Sequence, residues 1–318
     1  MFFGDEGKGA LIDALARRYP VRAVIRFNGG AQAGHNVIHE GMHHTFSQFA
    51  SASFLPHIKT YFSHHCLIDP LSASNEAEIL SRKLQHNPLK RLYISEDSII
   101  VTPVHRVMNL AREALRSQKH GSCGLGIGEA YLDSISNHFP VLRFRDLYDK
   151  ELTRKKLYIL RIMKRDALQT LSPDTTIDIS EYMKDLSLPL EDYTVDKFYN
   201  FASSVNCITK DELQNLIREE EMVLFEGAQG ALLDKDKGFF PHVTPSTTTA
   251  DNAIELIKES DRSYRVFGAM RWYITRHGQG PLVSETDSFH FAESHNSSES
   301  IQGKFRFGLP DQVLFQYA

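Results

Sequence analysis

The chain has few cysteines, no long apolar run and no excess of positive charge. Its three cysteines in 318 residues, Cys66, Cys123 and Cys207, are odd in number and far apart, which argues against a disulfide framework and for a reducing compartment. No apolar stretch nears the roughly 18 residues of a membrane span, and no signal-peptide pattern stands ahead of Gly4, so a cytoplasmic location is expected. A formal net charge of −4 offers no basic field for nucleic acid and leaves small anions, held by local donors, as the favoured ligands. Internal repeats and low-complexity tracts are also lacking. The hydrophobic fraction of 42% is ordinary for a globular protein, enough for one large α/β domain or two smaller ones.

What the chain does have is glycine-rich loops. Gly4-Asp5-Glu6-Gly7-Lys8-Gly9 and Gly29-Gly30-Ala31-Gln32-Ala33-Gly34-His35 fall within the first 36 residues. Bare backbone N–H groups with one lysine, one carboxylate and one histidine are what a phosphate-handling site needs. The first loop is not a Walker A motif, which has four residues between its first glycine and a Gly-Lys followed by Ser or Thr. Between the loops, Ala10 to Arg18 reads as an amphipathic helix with Leu11, Ile12 and Leu15 on one face, and Val21 to Phe27 as a buried strand. A strand ahead of Gly4 would bring both loops to one edge of a parallel sheet, where ligands of open α/β folds bind. Only three residues precede Gly4, and the chain stops inside a helical pattern at residues 311–318, so truncation at both ends is expected.

Further along, His43 to Phe49 and Thr60 to Ile68 read as strand-rich, Pro70 to Leu84 as a helix, and Leu92 to Val101 as strand around a turn at residues 96–98. Pro103 opens a helix to about Ser117, followed by a third glycine-rich loop over residues 121–128. The spacing over residues 149–221 predicts a helical insertion that shields the sheet. Met222 to Glu226 reads as a strand ending in Gly227-Ala228-Gln229-Gly230. Thr247, Thr248 and Thr249 stand where hydroxyls cap a helix over residues 250–258. Arg265 to Ile274 reads as another strand, ending in Thr275-Arg276-His277-Gly278-Gln279-Gly280-Pro281. An apolar strand followed by a polar, glycine-rich loop is thus expected four times.

Taken singly, these residues have plainer readings. Asp5 serves as a turn carboxylate at a helix start, His35 as a solvated loop histidine, and Gln229 and Thr244 as local hydrogen-bonding groups. The pairs His43-His44 and His64-His65 suggest zinc, but adjacent strand residues point to opposite faces, so neither pair is expected to chelate a transition metal. Cys123 lacks a paired base and reads as a loop donor rather than a nucleophile.

Taken in order, Gly4 to Gly9, Gly29 to His35, Phe225 to Gly230, Pro241-His242-Val243-Thr244 and Thr275 to Pro281 resemble adenylosuccinate synthetase, over nearly the whole chain. The resemblance implies one α/β domain over residues 1–318. Its central sheet is mostly parallel, with helices on both faces and P-loop-like phosphate-binding loops at strand C-terminal ends. It implies a ligase that joins a purine 5′-monophosphate, IMP foremost, to L-aspartate. A nucleoside triphosphate, GTP foremost or ATP, drives the step with Mg²⁺ through a 6-phosphoryl intermediate, in a homodimer.

By position, the same resemblance makes Asp5 the base that takes the purine N1 proton and His35 the acid at the γ-phosphate, with Lys8 and Gln229 also catalytic. Gly4, Glu6, Gly7, Lys8, Gly9, Gly34, His35 and Asn36 would bind the triphosphate, and Asp5 with the Gly34 carbonyl would hold Mg²⁺. Gln32, Gln229 and Thr244 would bind the acceptor nucleotide, with Ser122 and Cys123 at its 5′-phosphate. Gly303, Lys304 and Arg306 would receive aspartate.

The chain also departs from the family pattern. Gln32 and Asn36 replace the usual Asn and Thr of the second loop, and Ser122-Cys123 replace a threonine pair. Phe139 falls where an arginine usually reaches the neighbouring subunit, with Arg143 and Arg145 nearby. The aspartate loop, Ile301 to Arg306, is one arginine short, and the guanine-reading segment would lie beyond residue 318. Two alternatives stay open: an aminoadenylosuccinate synthetase acting on GMP or dGMP, and a non-catalytic nucleotide-binding homologue.

Overall fold

A computed structural model describes residues 1–117, 120–171, 177–288, 291 and 303–318. The first half contains α1 (Lys8–Arg18), β1 (Val21–Arg26), β2 (His35–His39), β3 (Met42–Phe46), β4 (Lys59–Phe62), β5 (Leu67–Ile68), α2 (Pro70–Leu84), β6 (Leu92–Ser95), β7 (Ile99–Ile100), α3 (Pro103–Leu115) and α4 (Ile127–Ser136). It continues through α5 (Lys150–Leu171), α6 (Ser180–Asp185), α7 (Glu191–Ala202), β8 (Asn206–Ile208), α8 (Lys210–Glu219) and β9 (Met222–Glu226). The last part holds α9 (Asp251–Lys258), β10 (Ile274–His277), β11 (Phe305–Gly308) and α10 (Gln312–Tyr317).

Five strands form the central sheet in the order β8-β6-β4-β1-β9, and every neighbouring pair is parallel. A parallel sheet needs cover on both faces, and the side chains of β1 show how it is supplied. Val24 faces Ile12 and Ala16 of α1. Ala23 and Ile25 face Leu213 and Ile217 of α8 and Leu256 of α9. Phe62, Leu92 and Ile94 then pack with Ala77 and Leu80 of α2 and Phe198 of α7. Asp69 caps α2 by accepting from the amides of Leu71 and Ser72, with Pro70 in the first turn, where the missing N–H costs nothing.

Several expectations are corrected. In α1 the buried face is Ile12 and Ala16 with Gly9 and Asp13, while Leu11 is exposed. The three residues ahead of the first loop form no strand. Residues 1–3 instead run beside residues 231–232, whose amides donate to the carbonyls of Met1 and Phe2 at 2.7 and 2.9 Å. The third glycine-rich loop follows a helix, α3, as the sequence predicts. Within residues 149–221 lies a strand, β8, that joins the edge of the central sheet beside β6. Residues 265–273 form no strand. This segment lies against the start of the chain, where the Met1 ammonium donates to the Ala269 carbonyl at 2.7 Å, and Val266 and Phe267 are exposed. The strand that follows, β10, pairs antiparallel with β11 outside the central sheet. The threonines do not cap α9: the Thr248 hydroxyl donates to the Gly230 carbonyl at 2.8 Å.

Candidate active site

The loops leaving β1 and β9 meet the first loop at the C-terminal edge of the sheet. Asn28, just after β1, joins two of them. Its amide nitrogen donates to the carbonyls of Ala228 and Thr247 at 3.1 and 3.2 Å, and its carbonyl oxygen accepts from the Ala228 amide at 2.7 Å. A Cβ on Gly9 would lie 2.7 Å from His35 Cβ and 2.8 Å from Ser51 Oγ, so the start of α1 seats directly on the second loop. A Cβ on Gly4 would lie 3.4 Å from Gln229 Cα. The clash at Gly9 and the φ of 118° at Gly4 make glycine a condition of this assembly at both positions.

Glu6 organises the first loop from beneath. Its Oε1 accepts from the amides of Phe2, Phe3 and Gly4 at 3.1, 2.9 and 3.1 Å, and it is buried. Its carboxylate is thus committed to the backbone of the loop. The Lys8 ammonium rests on the Gly4 carbonyl at 2.5 Å and lies 3.7 Å from Glu6, while the Gly7 to Gly9 amides open α1 with no side-chain cap. A helix start with bare N–H groups and an adjacent cation suits an anion.

An imidazole–carboxylate pair flanks each end of this loop. At the inner end, His35 Nδ1 lies 2.6 Å from Glu226 Oε1. Ser51 donates to the same carboxylate through its hydroxyl and, at 3.1 Å, its amide. Burial by itself would raise the Glu226 carboxyl, but His35, Arg26 and Ser51 outweigh it and hold it at about 2. An ionised carboxylate only accepts, so Nδ1 carries the hydrogen and Nε2 is the free ring nitrogen. Burial pushes the imidazole itself below its ordinary value, against the pull of Glu226. The resting ring is neutral, and an anion at Nε2 would favour the proton it needs to act as an acid.

At the outer end, Asp5 Oδ2 lies 3.0 Å from His277 Nε2, whose ring packs on Phe305 with centroids 4.7 Å apart. Burial would raise the Asp5 carboxyl, but the hydrogen bond from His277 and the charges of His277, Lys8 and Arg271 hold it below the usual carboxylate value. An ionised, partly accessible carboxylate fits a hard divalent cation such as Mg²⁺.

Three uncommitted amide atoms add to the site. Both amide atoms of Gln32 and Oε1 of Gln229 are buried without a hydrogen-bond partner. Gln229 is also held at φ 64°, a left-handed conformation that costs a residue with a side chain roughly 1–2 kcal/mol. Unsatisfied polar groups and local strain in one place are features of a ligand site.

Other residues expected here are already engaged. Asn36 Oδ1 accepts from Thr45 at 2.6 Å and faces His43 Nε2 at 3.0 Å, which ties it into the β2–β3 hairpin. Gly34, just before that hairpin, adjoins Thr45, whose Cγ2 would lie 3.7 Å from a Cβ there. The Ser122 hydroxyl donates to Asn109 at 2.9 Å. Burial raises the Cys123 thiol, consistent with a neutral donor. Thr244 lies 3.3 Å from the Ser246 hydroxyl. Arg306 donates to Glu285 and to the Gly280 carbonyl, both at 2.6 Å. Lys304 is exposed, its carbonyl accepting from the Gly278 amide at 3.0 Å, and a Cβ on Gly303 would lie 3.4 Å from Gly278 Cα. The segment expected to receive aspartate therefore adjoins the loop that follows β10, with Ile301 and Gln302 outside the described residues. Arg143 and Arg145 both bond Asp97, through its carbonyl at 2.7 Å and its carboxylate at 2.6 Å. The His64-His65 pair does not alternate across a strand. It sits in a turn after β4, closed by the Cys66 amide on the Ser63 carbonyl at 3.0 Å, and both rings approach Glu255.

Sequence reasoning missed Glu226 and His277 as partners of His35 and Asp5. The signals were present: a glutamate ends β9 immediately before a glycine loop, and a histidine ends β10 in the same way.

A family model described as adenylosuccinate synthetase matches residues 1–318. The chain is 32% identical over 323 residues to the adenylosuccinate synthetase of Bdellovibrio bacteriovorus, covering 99% of this chain and 72% of that protein. It is 34% identical over 290 residues to the Syntrophus aciditrophicus enzyme of the same name, covering 89% and 63%. The chain thus spans roughly two thirds of the length of these relatives. Two solved structures share the fold. One is fully ligated adenylosuccinate synthetase from Plasmodium falciparum, with TM-score 0.78 and 23% identity, covering 97% of this chain and 70% of that one. The other is a cyanophage S-2L succinoaminodeoxyadenylate synthetase bound to dGMP and dATP, with TM-score 0.61 and 18% identity, covering 100% and 78%. With its whole length matched by the family model and a relative 32% identical across nearly all of it, the chain belongs to the adenylosuccinate synthetase family, ligases that form carbon–nitrogen bonds.

Proposed function

We propose that this chain joins a purine 5′-monophosphate, IMP by preference, to L-aspartate, with GTP or another nucleoside triphosphate supplying the phosphoryl group. The observation that carries this reading is the single glycine-rich loop flanked by two carboxylate–imidazole pairs, Glu226–His35 and Asp5–His277. Asp5 takes the N1 proton as the purine O6 attacks the γ-phosphorus. The new O6–P bond forms as the bond to the β-phosphate oxygen breaks. His35, held by Glu226, stabilises charge on the transferring group, and Lys8 with the α1 amides orients the phosphates. The aspartate amine then attacks C6, the C6–O6 bond breaks, and phosphate leaves carrying O6. A carbonyl oxygen is a poor leaving group and phosphorylation makes it a good one, so most of the gain comes from positioning and electrostatics. Asp5 and the Gly34 carbonyl would hold Mg²⁺, which when bound neutralises charge on the triphosphate.

Gln32 favours a second reading of the acceptor. Its unpartnered carbonyl oxygen can accept an N–H from an exocyclic 2-amino group, which GMP and dGMP have and IMP lacks.

The test incubates the protein with IMP, GMP or dGMP, L-aspartate, Mg²⁺ and GTP or ATP, and follows phosphate release. Release that requires both acceptor and aspartate supports the ligase. The preferred acceptor decides between the two readings. Tight nucleotide binding without turnover would identify a binding protein that kept the fold.

A further inference from the structure

We propose that His64, His65 and Glu255 form a binding site for a tetrahedral transition-metal ion of the zinc class, separate from the nucleotide loops. The turn after β4 brings both imidazoles to one side, and Glu255, in the middle of α9, faces them. Glu255 Oε1 lies 3.8 Å from His64 Nε2, and Oε2 lies 3.3 Å from His65 Nε2. The ligand atoms of all three residues lie within 4.8 Å of one another.

These separations discriminate between interactions. N–H···O hydrogen bonds run at about 2.7–3.2 Å, and both contacts are longer. His65 Nε2 is buried with no hydrogen-bond partner. Zinc–ligand bonds of about 2.0–2.2 Å give a tetrahedron with edges of roughly 3.3–3.6 Å. The His65–Glu255 separation of 3.3 Å matches such an edge, and the His64–Glu255 separation of 3.8 Å is slightly longer. Two imidazoles and one carboxylate are also a known zinc donor set, one that leaves a fourth position for water.

The electrostatics agree. Burial lowers both imidazoles, and His64 lowers His65 further, to about 4 despite the pull of Glu255. Both rings therefore present neutral nitrogens near neutral pH, the form that ligates. The nearby cations are occupied elsewhere: Lys210 pairs with Glu259 at 2.9 Å and Arg143 bonds the Asp97 carbonyl at 2.7 Å. A bound ion would clip the exit of β4 to α9, whose Asn252 donates to the Phe27 carbonyl at 3.1 Å at the end of β1.

The experiment titrates the intact chain with Co²⁺ in excess Mg²⁺, which occupies hard oxygen sites, and records visible absorption. One equivalent of Co²⁺ with intense tetrahedral bands, displaced by one equivalent of Zn²⁺, is the expected result. Both His65→Ala and Glu255→Gln should weaken binding at least tenfold. Glu255 is exposed, so its variant reports on binding even if His65→Ala fails to fold. The absence of such bands, or affinity unchanged in Glu255→Gln, overturns the proposal. The readout needs no ligase activity, so it stands or falls independently of the proposed reaction.

Discussion

The two carboxylate–imidazole pairs beside the first loop use the same groups in opposite surroundings. Glu226–His35 is sealed inside the sheet, with side chains 0% and 7% exposed. Asp5–His277 is 31% and 20% exposed. In the inner pair the carboxylate has two further donors from Ser51, and the imidazole is clamped beneath Gly9. In the outer pair the carboxylate rests on one imidazole. The difference separates two arrangements: the inner pair fixes a ring in place, and the outer pair leaves a carboxylate open to what enters. Both depress a carboxyl, but in both cases against burial, so the partners rather than solvent hold the charge.

Five measurements bear on this comparison. The largest effect is expected from Asp5→Asn, which should lower kcat by about 10²–10⁴, the usual worth of a general base, while leaving acceptor affinity within a few-fold. Equal activity in the variant would end the assignment of Asp5 as the base. Glu226→Ala should come next. It strands the donors of His35 and Ser51, so urea unfolding should show a loss of about 3 kcal/mol or more. If Glu226→Ala were as stable as the parent chain, the inner pair would not be the clamp described.

The pH dependence sharpens the same point. His35 is lowered from 6.5, so the unfolded chain protonates first and stability declines as pH falls below 6.5. The folded value of Glu226 is about 2 against 4.5. Its contribution is therefore complete above 4.5 and is lost as pH falls toward 2. The urea midpoint should drop in two stages on acidification, and Glu226→Ala should lack the lower one.

Gly9→Ala should cost about 1–3 kcal/mol through the clash with His35, and thermal melting would read it. The smallest change is expected from His277→Asn, a loss of kcat of roughly tenfold or less by steady-state kinetics, because Lys8 still faces Asp5. A larger loss than that of Asp5→Asn would reverse the roles assigned to the two members of the outer pair.

Much of the scaffold was legible. Pro70 after Asp69 and Pro103 after Thr102 mark the starts of α2 and α3, and both caps form as those residue types dictate. Glycine runs locate the loops because close backbone approach leaves no room for a Cβ. Less legible was anything settled by long-range contact. The three residues of β8 are too short to interrupt a helical pattern, and the apolar run 265–273 is held by the start of the chain rather than by a neighbouring strand. Glu226 and His35 are 191 positions apart, and no local spacing encodes their meeting. His64-His65 lies in a turn, where strand alternation does not hold, whereas His43 and His44 do lie in β3, with His44 buried against Glu76 at 3.4 Å.

Asn28 continues the sheet beyond its last rung. By offering one donor and one acceptor to Ala228, its side chain imitates a peptide group and carries the parallel ladder of β1 and β9 a step further than the backbone does. The turn after β1 and the turn after β9 are consequently sewn together at their bases. A displacement of either turn at its base is therefore shared by the other.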